Sequence, residues 1–142
     1  MCIRDRSEVT LGDKSVTILD ESYNANPTSM VAAIKLLGLK PGRRVAVLGD
    51  MGELGKDEIQ MHADLNKPLE EAGVARVIVT GECMRALKGA LPRAMRGAWV
   101  RDWEAALEAL KEELEDGDVV LVKGSNGVGL GKLVAALKEE TA

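Results

Sequence analysis

The sequence predicts an α/β domain of three layers, a mainly parallel sheet with helices on both faces. Three observations carry this. Short apolar runs within residues 16–19, 44–48, 74–80 and 119–122 alternate with longer stretches of helical period. The runs at 45–48 and 119–122 are apolar at every position, the pattern of strands buried on both faces. Polar, glycine-bearing segments follow Leu19, Leu48, Thr80 and Val122, where open parallel sheets of the Rossmann-like kind hold ligands.

Taken in order, the opening hexapeptide MCIRDR fits no element. It is set aside as a foreign start, with one domain expected over residues 7–142 that begins in the middle of something larger. Residues 8–11 and 15–19 predict paired strands around the turn Gly12-Asp13-Lys14. A helix follows over 27–37, with Met30, Ala33, Ile34 and Leu37 on one face, Asn26 as its cap and Pro27 at its first position. Lys40-Pro41-Gly42 breaks the chain before a strand over 44–48. After the loop GDMGELG, one helix is expected over 57–72, carrying Ile59, Met61, His62 and Leu65, with Pro68 able to interrupt it. A strand over 74–80, a helix from Gly81-Glu82 to Leu91 and a weak strand over 98–100 come next. The chain then predicts a helix over 103–114, a strand over 119–122 and a final helix over 130–139.

Composition narrows the function. With aromatics at 2%, no Phe and a net charge of −4, there is neither a basic stripe nor a supply of rings to stack on bases, so nucleic acid is not an expected partner. Cys2 and Cys83 are too few for a disulfide framework and suit a reducing cytosol. No apolar run reaches the roughly 18 residues of a membrane span.

Several motifs admit two readings. GVGLGK at 127–132 is not a phosphate-binding P-loop, because Asn126 and Leu133 stand where that motif needs a glycine and a Ser or Thr. Residues 123–129 still place a lysine and free backbone amides ahead of a helix, which suits an anion or is simply a strand–helix turn. Asp50 either binds a cation or caps the turn after it. His62 lies within a helix with no acid or nucleophile placed beside it by spacing, so a structural role is expected. Trp99, Trp103 and Cys83 are expected to pack. In DESYNANP, residues 20–27, acids and amides able to hold a nucleotide share the segment with a helix cap.

The succession DESYNANPTSM, VLGDMGELG, His62, VIVTGE and GDVVLVKGS resembles the C-terminal domain of the Mur ligases, over about 7–137. YNANP combined with GDMGELG points to the branch whose substrates are D-alanyl-D-alanine and UDP-N-acetylmuramoyl-tripeptide. The resemblance implies ATP-dependent peptide-bond formation in cytoplasmic cell-wall precursor synthesis. ATP phosphorylates the tripeptide carboxylate, Mg²⁺ assists, and the dipeptide amine attacks the acyl phosphate. The family's P-loop and magnesium ligands lie in a central domain, and an N-terminal domain holds the UDP-sugar. The resemblance therefore implies partner domains and no catalysis by this stretch alone.

Carried onto this sequence, Asp20, Glu21, Tyr23, Asn24 and Asn26 would face ATP. Asp50, Gly81, Glu82, Lys123, Gly124, Ser125 and Asn126 would face the incoming dipeptide, with its carboxylate at Ser125. His62 matches a family position without an assigned role. Glu21 and Asn126 depart from the Asp and Arg common there. The competing expectation is a stand-alone ligand-binding or interaction module without chemistry.

Overall fold

A computed structural model of the chain describes residues 5–11, 14–21, 26–51, 55–124 and 129–141. One six-stranded sheet runs in the order β1-β2-β6-β3-β4-β5. β1 (Asp5–Leu11) lies antiparallel to β2 (Lys14–Glu21) at one edge. The other four strands are β3 (Arg44–Gly49), β4 (Arg76–Thr80), β5 (Arg96–Val100) and β6 (Val119–Lys123). They and β2 pair in parallel throughout. β1 begins at Asp5, so Asp5 and Arg6, within the segment set aside as foreign, pair with Asp20 and Leu19.

The alternation along β3 explains the two covered faces. Ala46 and Leu48 point into one core with α1 (Pro27–Gly38), whose Met30, Ile34 and Leu37 are fully buried. Val45 and Val47 point into the other, against α5 (Trp103–Glu113) and α6 (Leu130–Thr141). Each fully buried Leu or Ile in these layers is worth about 1.5–3 kcal/mol of transfer free energy. That burial, rather than local propensity, fixes the register.

The helix expected over 57–72 is two. A 3-10 turn at Gly55–Asp57 leads into α2 (Glu58–Ala63), and α3 (Asn66–Glu71) follows after a break at Asp64-Leu65. Pro68 explains the position of the break. In a continuous helix its ring would collide with the Asp64 carbonyl, to which it has no amide hydrogen to donate. As the third residue of α3 it loses nothing. The break leaves His62 and Leu65 buried but turns Ile59 and Met61 outward, 52% and 36% exposed. α4 (Met84–Ala90) starts later than expected, after Gly81 and Glu82.

Charges gather at the rim where the parallel strands begin. Arg43 donates to Asp118 Oδ2 at 2.9 Å and to Glu113 Oε1 at 2.6 Å, and Arg76 reaches the same Glu113 oxygen at 2.8 Å. Asp118 is fully buried, and burial pushes its carboxyl above the usual range, against the pull of the Glu115 amide and Arg43. Its Oδ1 has no hydrogen-bond partner among the described residues.

Candidate functional site

At the opposite rim the parallel strands all end together. Glu21 lies beside Lys123 and Lys123 beside Leu48, while Gly49 lies beside Thr80 and Thr80 beside Val100. β6 sits between β2 and β3, yet the helix after it packs on the face opposite those after its neighbours. In open α/β sheets such a reversal marks the crevice in which ligands usually sit. Gly124 floors it: a Cβ there would stand 3.0 Å from the Gly49 Cα and from Leu130 Cδ1. Only glycine lets the two backbones approach so closely.

The structure brings most of the expected residues to this rim. Asp20 and the backbone of Glu21 finish β2, Lys123 finishes β6 with Gly124 directly after it, and both Lys123 and Gly124 are buried. Tyr23, Asn24, Ser125 and Asn126 lie outside the described residues, as does the turn at 12–13. Asn26 caps α1 through a capping box: its Oδ1 accepts the Ser29 amide at 2.8 Å, and Ser29 Oγ accepts the Asn26 amide at 3.1 Å.

Asp50 caps a helix, but a distant one. Its carboxylate accepts the amides of Met84 at 3.0 Å and Cys83 at 3.4 Å, at the start of α4. Gly81 makes the fit. Its φ of 110° is left-handed, and a Cβ would collide with the Asp50 carboxyl. Trp99 completes this corner by donating its indole N–H to the Gly81 carbonyl at 2.7 Å, with the Arg85 guanidinium 4.1 Å above its ring. Glu82 is exposed and pairs with Arg85 at 3.5 Å.

His62 is wholly buried and does more than pack. Its Nε2 accepts the Met51 amide at 2.9 Å, and its Nδ1 donates to the Glu58 carbonyl at 2.5 Å, which assigns the Nδ1–H tautomer. The ring thereby pins the start of the GDMGELG loop to α2. Cys83 is half-buried; burial first, then Asp50, Glu58 and Glu82, push its thiol above the ordinary value. A protonated thiol is a poor nucleophile.

Sequence reasoning took Trp99 and Cys83 as packing residues and missed their place at this rim. The strand order could have shown it, since β5 follows β4 at the sheet edge, but nothing in local spacing does. Asp50, His62 and Cys83 are the one group of potential ion ligands among the described residues, and their nitrogen and sulfur donors do not suit Mg²⁺, which demands oxygens. The described residues therefore do not fit a magnesium site.

A parallel sheet with helices on both faces and a histidine-pinned glycine loop at the end of β3 defines a doubly wound, Rossmann-like α/β domain. Residues 5–126 match the Mur ligase glutamate ligase domain, and the chain belongs to that family. It is 38% identical over 160 aligned residues to the UDP-N-acetylmuramoyl-tripeptide–D-alanyl-D-alanine ligase of Mycobacterium tuberculosis, covering 94% of this chain and 31% of that protein. The corresponding Escherichia coli ligase is 37% identical over 124 residues, covering 86% of this chain and 27% of that protein. The MurF ligase of Thermotoga maritima, solved in complex with ADP, superposes with a TM-score of 0.77 at 26% identity, over 94% of this chain and 30% of that one. The chain thus spans under a third of the length of the relatives it matches.

Proposed function

We propose that this chain forms the nucleotide-closing and dipeptide-side part of an ATP-dependent ligase that joins D-alanyl-D-alanine to UDP-N-acetylmuramoyl-tripeptide. The observation that carries this is the 38% identity to ligases of that name across 94% of the chain. In this reading the β2 end, from Asp20 and Glu21 through Tyr23 and Asn24 to Asn26, meets ATP. Gly81, Glu82, Lys123, Gly124, Ser125 and Asn126 meet the dipeptide. Asp50 and His62 act indirectly, by holding the walls.

The chemistry divides accordingly. Phosphorylation of the tripeptide carboxylate needs charge neutralisation of the transferring phosphoryl group, and a P-loop lysine and Mg²⁺ supply that in the companion domains. What this domain contributes is orientation: it brings the dipeptide amine to the acyl phosphate and keeps water away from it. The free thiol of Cys83 and an ATP-consuming reaction both suit the cytosol.

A domain exchange tests the proposal. Residues 7–137 replace the matching stretch of the Escherichia coli ligase, and phosphate release is followed with ATP, UDP-tripeptide and dipeptide. The expected chimera releases phosphate only when D-alanyl-D-alanine is present. A folded chimera that binds ATP but ignores the dipeptide would overturn the assignment. In parallel, titrating D-alanyl-D-alanine into the isolated chain should shift the amides around Lys123 and Gly124, and unmoved amides count against the dipeptide side.

A further inference from the structure

Three side chains from separate elements meet beside the crevice: Asp50 at the end of β3, His62 in α2 and Cys83 ahead of α4. One donor atom of each lies within 4.8 Å of the other two, and His62 Nε2 is 4.0 Å from Asp50 Oδ1. Capping accounts for the carboxylate and loop anchoring for the imidazole, but neither accounts for the thiol. We propose that Asp50, His62 and Cys83 form a binding site for a zinc-class divalent transition-metal ion, held through a carboxylate oxygen, Nε2 and Sγ. The proposal is independent of the ligase reading.

The donor set is the first argument. Mixed oxygen, nitrogen and sulfur donors suit zinc and cobalt, and discriminate against magnesium and calcium. Distance is the second. Tetrahedral zinc with ordinary bond lengths separates its ligand atoms by roughly 3.3–3.6 Å, so each donor needs to move inward by less than about 1 Å. Asp50 is free to serve, since a carboxylate has about four acceptor positions and two are taken by amides.

The arrangement behind the ligands agrees. Metal-binding histidines commonly donate their other ring N–H to a backbone carbonyl, and His62 Nδ1 does so to Glu58, leaving Nε2 as the acceptor nitrogen, 4.0 Å from Asp50 Oδ1. Burial first, and then the charges of Asp50, Glu58 and Glu82, raise the Cys83 thiol above its ordinary value. A divalent cation at this point reverses that field, so the thiol proton leaves to solvent and the thiolate binds the metal. The fourth position is left to a water molecule.

One contact must yield. Nε2 now accepts the Met51 amide at 2.9 Å, and its single lone pair cannot serve an amide and a metal together. Metal binding therefore releases Met51 at the root of the GDMGELG loop, while tying α2 to the start of α4.

The test uses the 142-residue chain carrying Cys2→Ser, so that Cys83 is its sole thiol. Cobalt(II) is titrated with detection of the thiolate-to-cobalt charge-transfer absorption, zinc is then added in competition, and backbone amides are followed by NMR. The expected result is a one-to-one complex with a thiolate band that zinc abolishes, and displaced Met51 and Cys83 amide signals. With Cys83→Ser added, the band disappears and zinc binds at least about tenfold more weakly. Absence of the thiolate band in the chain that retains Cys83 overturns the proposal whatever the variant does. So does zinc affinity unchanged by Cys83→Ser, or a Met51 amide that stays in place at saturating zinc.

Discussion

The Asp50 carboxylate accepts the backbone amide of Met84 at 3.0 Å across 34 residues of sequence, and Gly81 has no side chain because that carboxylate occupies its place. Strand end, turn and helix start are thus one unit. Asp50→Ala should cost about 1 kcal/mol, the worth of a lost helix cap. Gly81→Ala should cost about 2 kcal/mol, from a left-handed φ together with the collision. In the double variant the collision partner is gone, so the summed loss should fall short of the two single losses. Urea unfolding of the four proteins measures this, and strict additivity would show that the two residues do not meet.

The cap at Asn26 and the ATP contact proposed for Asn24 can be told apart by substitution. Asn26→Ala should destabilise by about 1 kcal/mol, while Asn26→Asp or Asn26→Ser stays within a few tenths. Asn24→Ala, in the full-length ligase, should raise the KM for ATP and leave the thermal midpoint nearly unchanged. A midpoint that drops as far for Asn24→Ala as for Asn26→Ala would assign both residues to the fold.

Asp118 predicts a pH dependence. Its folded-state carboxyl titrates above the unfolded one, so between the two values the native state holds a proton that the unfolded state has lost. Stability should therefore fall as pH rises from the ordinary carboxylate range through the raised folded value, then level off. Asp118→Asn should flatten that slope. Arg43→Met leaves the ionised carboxylate without its guanidinium and should cost about 2 kcal/mol at neutral pH, with partial exposure of Arg43 reducing the figure for a fully buried pair. The cost should shrink in acid, once Asp118 is protonated. Denaturation midpoints from pH 3 to 8 decide the matter: a slope identical in Asp118→Asn would remove Asp118 as its source.

The isolated chain should release no phosphate in response to D-alanyl-D-alanine, with or without Mg²⁺. Among the described residues no oxygen cluster holds that ion, and the sequence has no P-loop lysine. Dipeptide-dependent turnover by this chain alone, measured by coupled phosphate detection, would contradict the division of labour proposed above.

The layered sheet was legible because its evidence is local. Met30, Ala33, Ile34 and Leu37 recur at helical spacing and are the buried residues of α1, and the unbroken apolar run at 119–122 is buried on both faces. The division of α2 from α3 was half legible: Pro68 announced an interruption, but its clash falls four residues upstream, at Asp64. His62 looked structural, yet its two hydrogen bonds were invisible, because Met51 reaches the ring only once β3 and α2 pack. The meeting of Asp50 with Cys83, and of Trp99 with Gly81, depends on strands lying side by side. Spacing along the chain carries no trace of that.

The two rims of the sheet differ in what they can absorb. Arg43, Arg76, Glu113 and Asp118 interlock where the strands begin, and a change in one leaves the others in the wrong charge state. Apart from the coupled Asp50–Gly81 corner and the close approach at Gly124, the far rim is made of loops and caps, each removable for about 1 kcal/mol. Substitutions that alter substrate preference can therefore accumulate at the strand ends with little loss of folding, whereas change at the strand starts has to come in matched pairs. Sequence drift among proteins of this fold should be uneven from one end of the barrelless, open sheet to the other, with correlated swaps at the charged rim and independent ones around the crevice.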